Sequence, residues 1–221
     1  MSILAATGLA KEARIAKRAG LVPVIGGGNS QLLMERLEAA ENSVAAIVSF
    51  GIAGALAPLL QTGDAIIATH VVAGNEHYTC DVAWSQILRG KLVYSRSAII
   101  AGVDEVVSHI GAKRALFRDS GGHAVDMESH VAARFAKQRG LPFVALRIIS
   151  DGYQRTLPPA ALEPLNPNGK PRLFAVLKSV ASDPAQIPEL LQTGREAGRA
   201  FRALLRCSRL LGRGLGCPYL G

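Results

Sequence analysis

Phe143-Val144-Ala145-Leu146-Arg147-Ile148-Ile149-Ser150-Asp151-Gly152 is the stretch whose reading decides the fold. An apolar run rich in β-branched residues, closed abruptly by Ser-Asp-Gly, reads as a buried strand. In an open α/β sheet, ligands meet the carboxyl ends of the strands. Asp151 therefore stands where a rigid strand would deliver a catalytic acid. The plainer reading is a turn in which Asp151 caps the next segment.

Outward from this strand, apolar runs alternate with helical periodicity. Ser2–Ala6 reads as a first strand, Thr7-Gly8 as a turn and Leu9–Arg18 as a helix. Glu12 lies in the first turn of that helix, close to the strand end. A carboxylate there also simply suits the helix dipole. Leu21–Ile25 is a second strand, followed by Gly26-Gly27-Gly28-Asn29-Ser30 and a helix over Gln31–Ala40. Such a loop can offer bare amides to phosphate or another nucleophile at a helix N-terminus. Neither a Walker lysine nor GxGxxG accompanies it, so a flexible connection is an equal alternative.

Val44–Phe50 is the third strand, capped by Gly51-Ile52-Ala53-Gly54-Ala55-Leu56. Gly63-Asp64 then turns into a strand over Ala65–Val72. Gly74 to Trp84 reads as a polar loop holding Glu76, His77 and Tyr78. His77 has no Cys or His partner at ligand spacing, so it reads as a surface or pocket-edge histidine and no metal is expected. Ser97–Ala101 is a strand, and His123–Glu128 reads as another, ending in two carboxylates around Met127. Asp126 and Glu128 would share one strand face. That is costly unless a partner or ligand uses them, or unless the edge is solvated. Ser129–Arg139 is a helix closed by Gly140. Pro158-Pro159 and Pro164 to Pro171 mark a long loop.

These alternations predict an α/β fold, a three-layer α/β/α sandwich with a central mixed sheet. The 221 residues, 49% hydrophobic and 19% charged, can bury one sizeable core, so one domain over 1–221 is expected. A net charge of +8 would suit nucleic acid, but aromatics make up only 5% and no nucleic-acid motif is present. The three cysteines, Cys80, Cys207 and Cys217, form no disulfide or metal spacing, which fits a reducing cytoplasm. No basic n-region followed by an apolar h-region is found, so no signal peptide is expected. Ser43 to Thr62 carries no charge, yet Gly51, Gly54 and Pro58 break it. A strand and turn are expected there rather than a membrane span.

Three signatures in order resemble the nucleoside phosphorylase/nucleosidase superfamily, most familiarly its methylthioadenosine/S-adenosylhomocysteine nucleosidases. They are Ala6-Thr7-Gly8-Leu9-Ala10-Lys11-Glu12, the Gly51–Leu56 motif with Gly63-Asp64, and Asp126-Met127-Glu128 with Arg147-Ile148-Ile149-Ser150-Asp151. The match covers roughly residues 1 to 155. Asp126-Met127-Glu128-Ser129-His130 and Leu157-Pro158-Pro159 resemble more narrowly the hopanoid-associated phosphorylases, which remove adenine from adenosylhopane. The resemblance implies cleavage of a purine N-glycosidic bond. Asp151 would be the general acid at adenine N7, and Glu12 would polarise the attacking water. Glu128 would hold the ribose hydroxyls and favour the cationic sugar, with Met127 under the ribose. Arg147 would orient the neighbouring carboxylates. Gly51, Ile52, Ala53, Ser150 and Asp126 would complete the substrate site. No metal or organic cofactor is implied, and phosphate is the one co-substrate such chemistry could use.

Two positions depart from the pattern. Ile52 stands where relatives place a Ser or Thr near the nucleophile, which weakens phosphorolysis, since phosphate needs donors. Asp126 is one methylene shorter than the nucleosidase glutamate. The rivals are a methylthioadenosine-type nucleosidase or purine nucleoside phosphorylase, and a non-catalytic module binding a nucleoside or lipid. The joint presence of Asp151, Glu128 and Glu12 argues against the last. By resemblance a homodimer is expected.

Near the C-terminus, Arg195, Arg199, Arg202, Arg206, Arg209 and Arg213 are spaced by fours and threes. That places them along one face of a helix over about 187–213. The stripe is either the solvated face of a docked helix or a surface drawn to an anionic membrane, peripheral at its inner side.

Overall fold

Strands and helices alternate in the computed structural model, which describes residues 1–40 and 43–220. In chain order they are β1 (Ser2–Thr7), α1 (Ala10–Arg18), β2 (Val22–Ile25), α2 (Ser30–Glu38) and β3 (Val44–Ala55). There follow β4 (Ala65–Ala73), β5 (Glu76–Thr79), α3 (Val82–Lys91), β6 (Arg96–Gly102) and α4 (Ile110–Ser120). The last are β7 (Ala124–Asp126), α5 (Ser129–Arg139), β8 (Phe143–Asp151), α6 (Leu173–Ser182) and α7 (Ile187–Leu211).

The strand at Phe143 is the centre of the sheet. β8 runs parallel to β3 and antiparallel to β4, buried on both faces. Val144, Leu146 and Ile148 pack into one core with residues of α1, α3 and α7. Phe143, Ala145 and Ile149 pack into the other, with residues of α2 and α5. A strand covered on both sides reads as an unbroken apolar run, which is why its sequence lacks polar alternation. Arg147 is the exception on the odd-numbered face.

The sheet is mixed and lies between helical layers, as the sequence predicts. It also closes on itself: β3 pairs β8, β8 pairs β4, β4 pairs β6, β6 pairs β7, and β7 returns to β3. β1, β2 and β5 extend this ring outward. Closure removes open edges from the central strands. It also brings the ends of β3, β7 and β8 together.

Several expected boundaries move. β3 does not stop at Phe50 but runs through the glycine motif to Ala55, because Gly51–Gly54 keeps pairing with β8. The stretch from Gly74 to Trp84 is not a loop: β5 folds back on β4, and Asp81 caps α3 by accepting the Trp84 amide at 2.8 Å. His123–Glu128 is a strand only over Ala124–Asp126, and Glu128 already sits at the N-cap of α5. Gly140 closes α5 in the left-handed conformation, φ 64°. The proline-rich loop leads into α6, a helix without polar periodicity to signal it. Cys80, Cys207 and Cys217 are free thiols.

α7 carries Arg195, Arg199, Arg202, Arg206 and Arg209 on its exposed side, whereas Arg213 lies past its end at Leu211, in a 3₁₀ turn that follows Gly212. Its other side buries Ala200, Ala203, Leu204, Cys207 and Leu211 against the sheet. Among the described residues no helix is long and apolar enough to cross a membrane. Leu204 is fully buried, so Leu204→Ala should cost about 2–5 kcal/mol in urea unfolding. Arg202→Ala on the exposed side should change stability by less than about 0.5 kcal/mol.

Candidate active site

Arg147 is fully buried and gathers the carboxylates of the site. Its Nε lies 2.6 Å from Asp126 Oδ2, and its Nη2 lies 3.3 Å from Glu128 Oε2. Nη1 donates to the carbonyl of Ile52 at 3.2 Å, and Nη2 to Ser49 Oγ at 2.5 Å. Burial alone would lower the pKa of Arg147, but Asp126, Glu128 and Glu12 together hold it above the usual value. Ser129 donates its hydroxyl to Asp126 Oδ2 and its amide to Oδ1 at 2.9 Å. Asp126 and Glu128 thus meet through a shared cation rather than on a shared strand face.

Glu12 reaches into the same cluster from α1. Its Oε2 accepts the amides of Gly8 and Leu9, each at 2.8 Å, and its Oε1 accepts the amide of Ile52 at 2.8 Å. Burial raises its pKa, although Arg147 and these amides oppose the rise. Two glycines make room for this crowding. A Cβ at Gly51 would fall onto Glu12 and the Arg147 guanidinium, and one at Gly8 would fall onto Glu128. The glycine motif on β3 is therefore a space requirement.

Asp151 ends β8 beside a register shift, where Ala53 pairs with Ile149 but Gly54 pairs with Asp151. Such a bulge breaks side-chain alternation. Ser150 and Asp151 consequently both face the cavity. Asp151 Oδ1 accepts the Ser150 hydroxyl at 2.7 Å, and Oδ2 lies 2.5 Å from the ammonium of Lys113. Lys113 is fully buried on α4 and also donates to the Gly152 carbonyl at 2.9 Å. The sequence reading missed it. A lone lysine in the segment Ile110–Ser120 resembles an ordinary surface charge, and only the packing of α4 aims it at Asp151.

These groups border a cavity of about 430 Å³, within the usual size of small-molecule sites. Glu12, Asp126, Met127, Glu128, Ile52, Ala53, Ser150 and Asp151 line it, as do Gly27 and Gly28. Gly51, Arg147 and Gly26 stand behind the wall rather than on it. Gly26 instead donates its amide to the Thr7 carbonyl at 2.8 Å. Among the described residues lining the cavity, the charged side chains are all acidic: Glu12, Glu105, Asp126, Glu128, Asp151 and Glu163. The rest of the wall is apolar, with Val103, Val107, Leu157, Leu162 and Leu165 among its members. The proline-rich loop thus reaches the cavity. Tyr78 and Trp84, from the segment that reads as a polar loop, do not. Trp84 is buried in the core with its indole on the Leu215 carbonyl at 3.0 Å, and Tyr78 packs near Arg134. His77 is exposed, and no group among the described residues is placed to hold a metal ion.

The fold and this acidic, half-apolar cavity at the ends of β3, β7 and β8 define a small-molecule site in an α/β protein. The chain belongs to the Phosphorylase superfamily, whose family model matches residues 4–182. By sequence, no curated protein matches it. By structure it is similar to S-adenosylhomocysteine nucleosidase from Streptococcus pyogenes in complex with 5-methylthiotubericidin. That match has a TM-score of 0.66 at 16% identity and covers 94% of this chain and 95% of that one. It is also similar to a 5′-methylthioadenosine/S-adenosylhomocysteine nucleosidase from S. pneumoniae, with TM-score 0.64, 17% identity and coverage of 96% and 100%. A futalosine hydrolase mutant of Helicobacter pylori strain 26695 aligns with TM-score 0.63, 15% identity and coverage of 83% and 100%.

Glu128 supplies a test of the electrostatics. Burial, with Glu12 and Asp126 beside it, pushes its pKa up to about 8 despite Arg147. The fold therefore favours its neutral acid. That stability is fully present below the ordinary value of 4.5 and is lost as pH rises through about 8. Glu128→Gln should leave the melting temperature unchanged at pH 4.5 and raise it at pH 8.5. A shift of about 2–4 °C would correspond to about 1 kcal/mol. Thermal scans at both pH values check this.

Proposed function

We propose that this protein hydrolyses the N-glycosidic bond of an adenine nucleoside. The single observation that carries the reading is that every charged side chain described on the cavity wall is acidic, with Arg147 and Lys113 buried behind carboxylates. Glycosidic cleavage builds positive charge on the ribose, and fixed carboxylates stabilise that charge where it develops. Gly51, which Glu12 overlies, and Gly54, which Asp151 faces, are three residues apart on β3. At the strand rise they are on the order of 10 Å apart. One nucleoside can therefore meet Glu12 and Glu128 with its sugar and Asp151 with its base.

In this mechanism Glu128 accepts hydrogen bonds from the ribose hydroxyls, and Met127 packs under the sugar. Water attacks C1′ and passes a proton to Glu12. The bond from C1′ to N9 breaks, and its electrons pass into the purine. Asp151 delivers a proton to N7 so that adenine leaves neutral. Lys113, itself held by the Gly152 carbonyl, positions the Asp151 carboxyl through their 2.5 Å contact. Arg147 positions Asp126 and Glu128 without touching the substrate.

Water rather than phosphate is the nucleophile in this reading. A phosphate dianion needs arginine or lysine donors, and the wall supplies carboxylates. Ile52 offers no hydroxyl. Gly27 and Gly28 reach the cavity but do not offset that charge. The apolar half, closed by Leu157, Leu162 and Leu165, suits an apolar 5′ substituent. With the Asp126–His130 motif, this favours adenosylhopane as the substrate. A methylthioadenosine-type nucleoside is the alternative, because the same wall accommodates a thiomethyl group.

Adenine release from adenosylhopane and methylthioadenosine, with and without phosphate, tests the reading. The expected products are adenine and free ribosyl sugar, at rates independent of phosphate. A ribosyl phosphate identified by mass spectrometry would overturn the choice of water. Asp151→Asn should lower kcat by about 10²–10⁴-fold, the range for loss of a general acid. Lys113→Met should lower kcat, because Asp151 loses the cation that holds its carboxyl in place, with KM little changed.

A further inference from the structure

α6 is an apolar helix with no buried residue. Leu173, Phe174 and Leu177 are 73%, 82% and 67% exposed and project on one side. A helix with such a face left open is normally covered by something. Its rigidity comes from polar clamps rather than from burial. Gln186, itself buried, accepts the Ala160 amide at 2.8 Å and donates to the Ser179 carbonyl at 2.9 Å. The helix is therefore held in place with its apolar side outward.

Two further observations say what covers it. The first is charge. Lys170, Arg172 and Lys178 are all exposed around the apolar side chains, and no acidic residue occurs from Pro164 to Ser182. Bulky apolar side chains ringed by cations are the pattern of a helix lying in the headgroup region of an anionic bilayer. A second copy of this chain is disfavoured on this face, because it would set Lys170, Arg172 and Lys178 against the same three cations. The second is continuity with the cavity. Leu165 lines the cavity and bridges to Pro171, two residues before α6. The helix also rests on the 3₁₀ turn Pro159–Ala161, whose Ala161 lines the cavity too.

We propose that α6 is a membrane-docking helix. Leu173, Phe174 and Leu177 insert into the interface of an anionic lipid surface, with the apolar end of the cavity beside them. The docking itself is independent of the chemistry. Its use, to admit a lipid-borne nucleoside from the bilayer, rests on the function proposed above. α6, rather than the arginine stripe of α7, makes the insertion.

The full-length protein is tested with vesicles of phosphatidylcholine alone and with phosphatidylglycerol added, by flotation at low and high salt. The expected result is binding to the anionic vesicles that weakens with salt. Leu173→Glu combined with Phe174→Glu should lower the bound fraction at least tenfold. These positions are exposed, and unchanged melting would confirm that the variant folds. Replacing Arg195, Arg199, Arg202 and Arg206 with Gln should reduce binding less than the α6 variant does. No vesicle binding by the wild type, or binding indifferent to the α6 variant, overturns the proposal. So does a wild-type dimer that the α6 variant converts to monomer in light scattering. The α6 variant should release adenine from soluble methylthioadenosine at the wild-type rate. Vesicle binding without adenine release from any nucleoside would sink the proposed function and leave the docking standing. Adenine release with no vesicle binding would do the reverse.

Discussion

The constraint on which the site depends is the burial of Arg147. A guanidinium removed from water is tolerable only if carboxylates and acceptors surround it. Asp126, Glu128, Ser49 and the Ile52 carbonyl do so, and Glu12 adds its charge beside Gly51. The arrangement is reciprocal. Without the cation, the crowded carboxylates would be driven to protonate. With it, Glu128 still sits near neutrality, poised to respond to a positive charge brought by a ligand.

Asp151 has a parallel arrangement built from a different element. Its cation is Lys113 on α4, and its hydroxyl partner is Ser150 on its own strand. Two carboxylate systems, each with its own buried cation, face one cavity from opposite ends of the β3 glycine motif. The glycines at 8 and 51 let the carboxylates approach the backbone, and any larger residue would displace Glu128 or Glu12.

The cavity has a second character away from these charges. Its apolar wall comes from the segment after β8 and from the segment around Val103 and Val107. The segment after β8 continues into the open face of α6. Carboxylates stand at one end of the cavity, and the segment that lines its apolar end leads into the exposed, basic-rimmed α6.

The sequence alone determined the alternating elements and the mixed sheet between helices, while the resemblance to the superfamily singled out Glu12, Glu128 and Asp151 as a set. It did so because buried strands, helix faces and turn residues are local patterns, and because the motifs lie within short segments. The helical arginine stripe of α7 was legible for the same reason. What only the tertiary structure decided is non-local. Closure of the sheet follows from the pairing of β7 with β3, far apart in the chain. Gly51 and Arg147 turned out to stand behind the cavity, because their neighbours fill the wall. Lys113 became a partner of Asp151 only when the fold brought its side chain from α4 to the end of β8. α6 gave no signal as an exposed helix, since its apolar run reads like core. Exposure is a property of what the rest of the chain leaves uncovered.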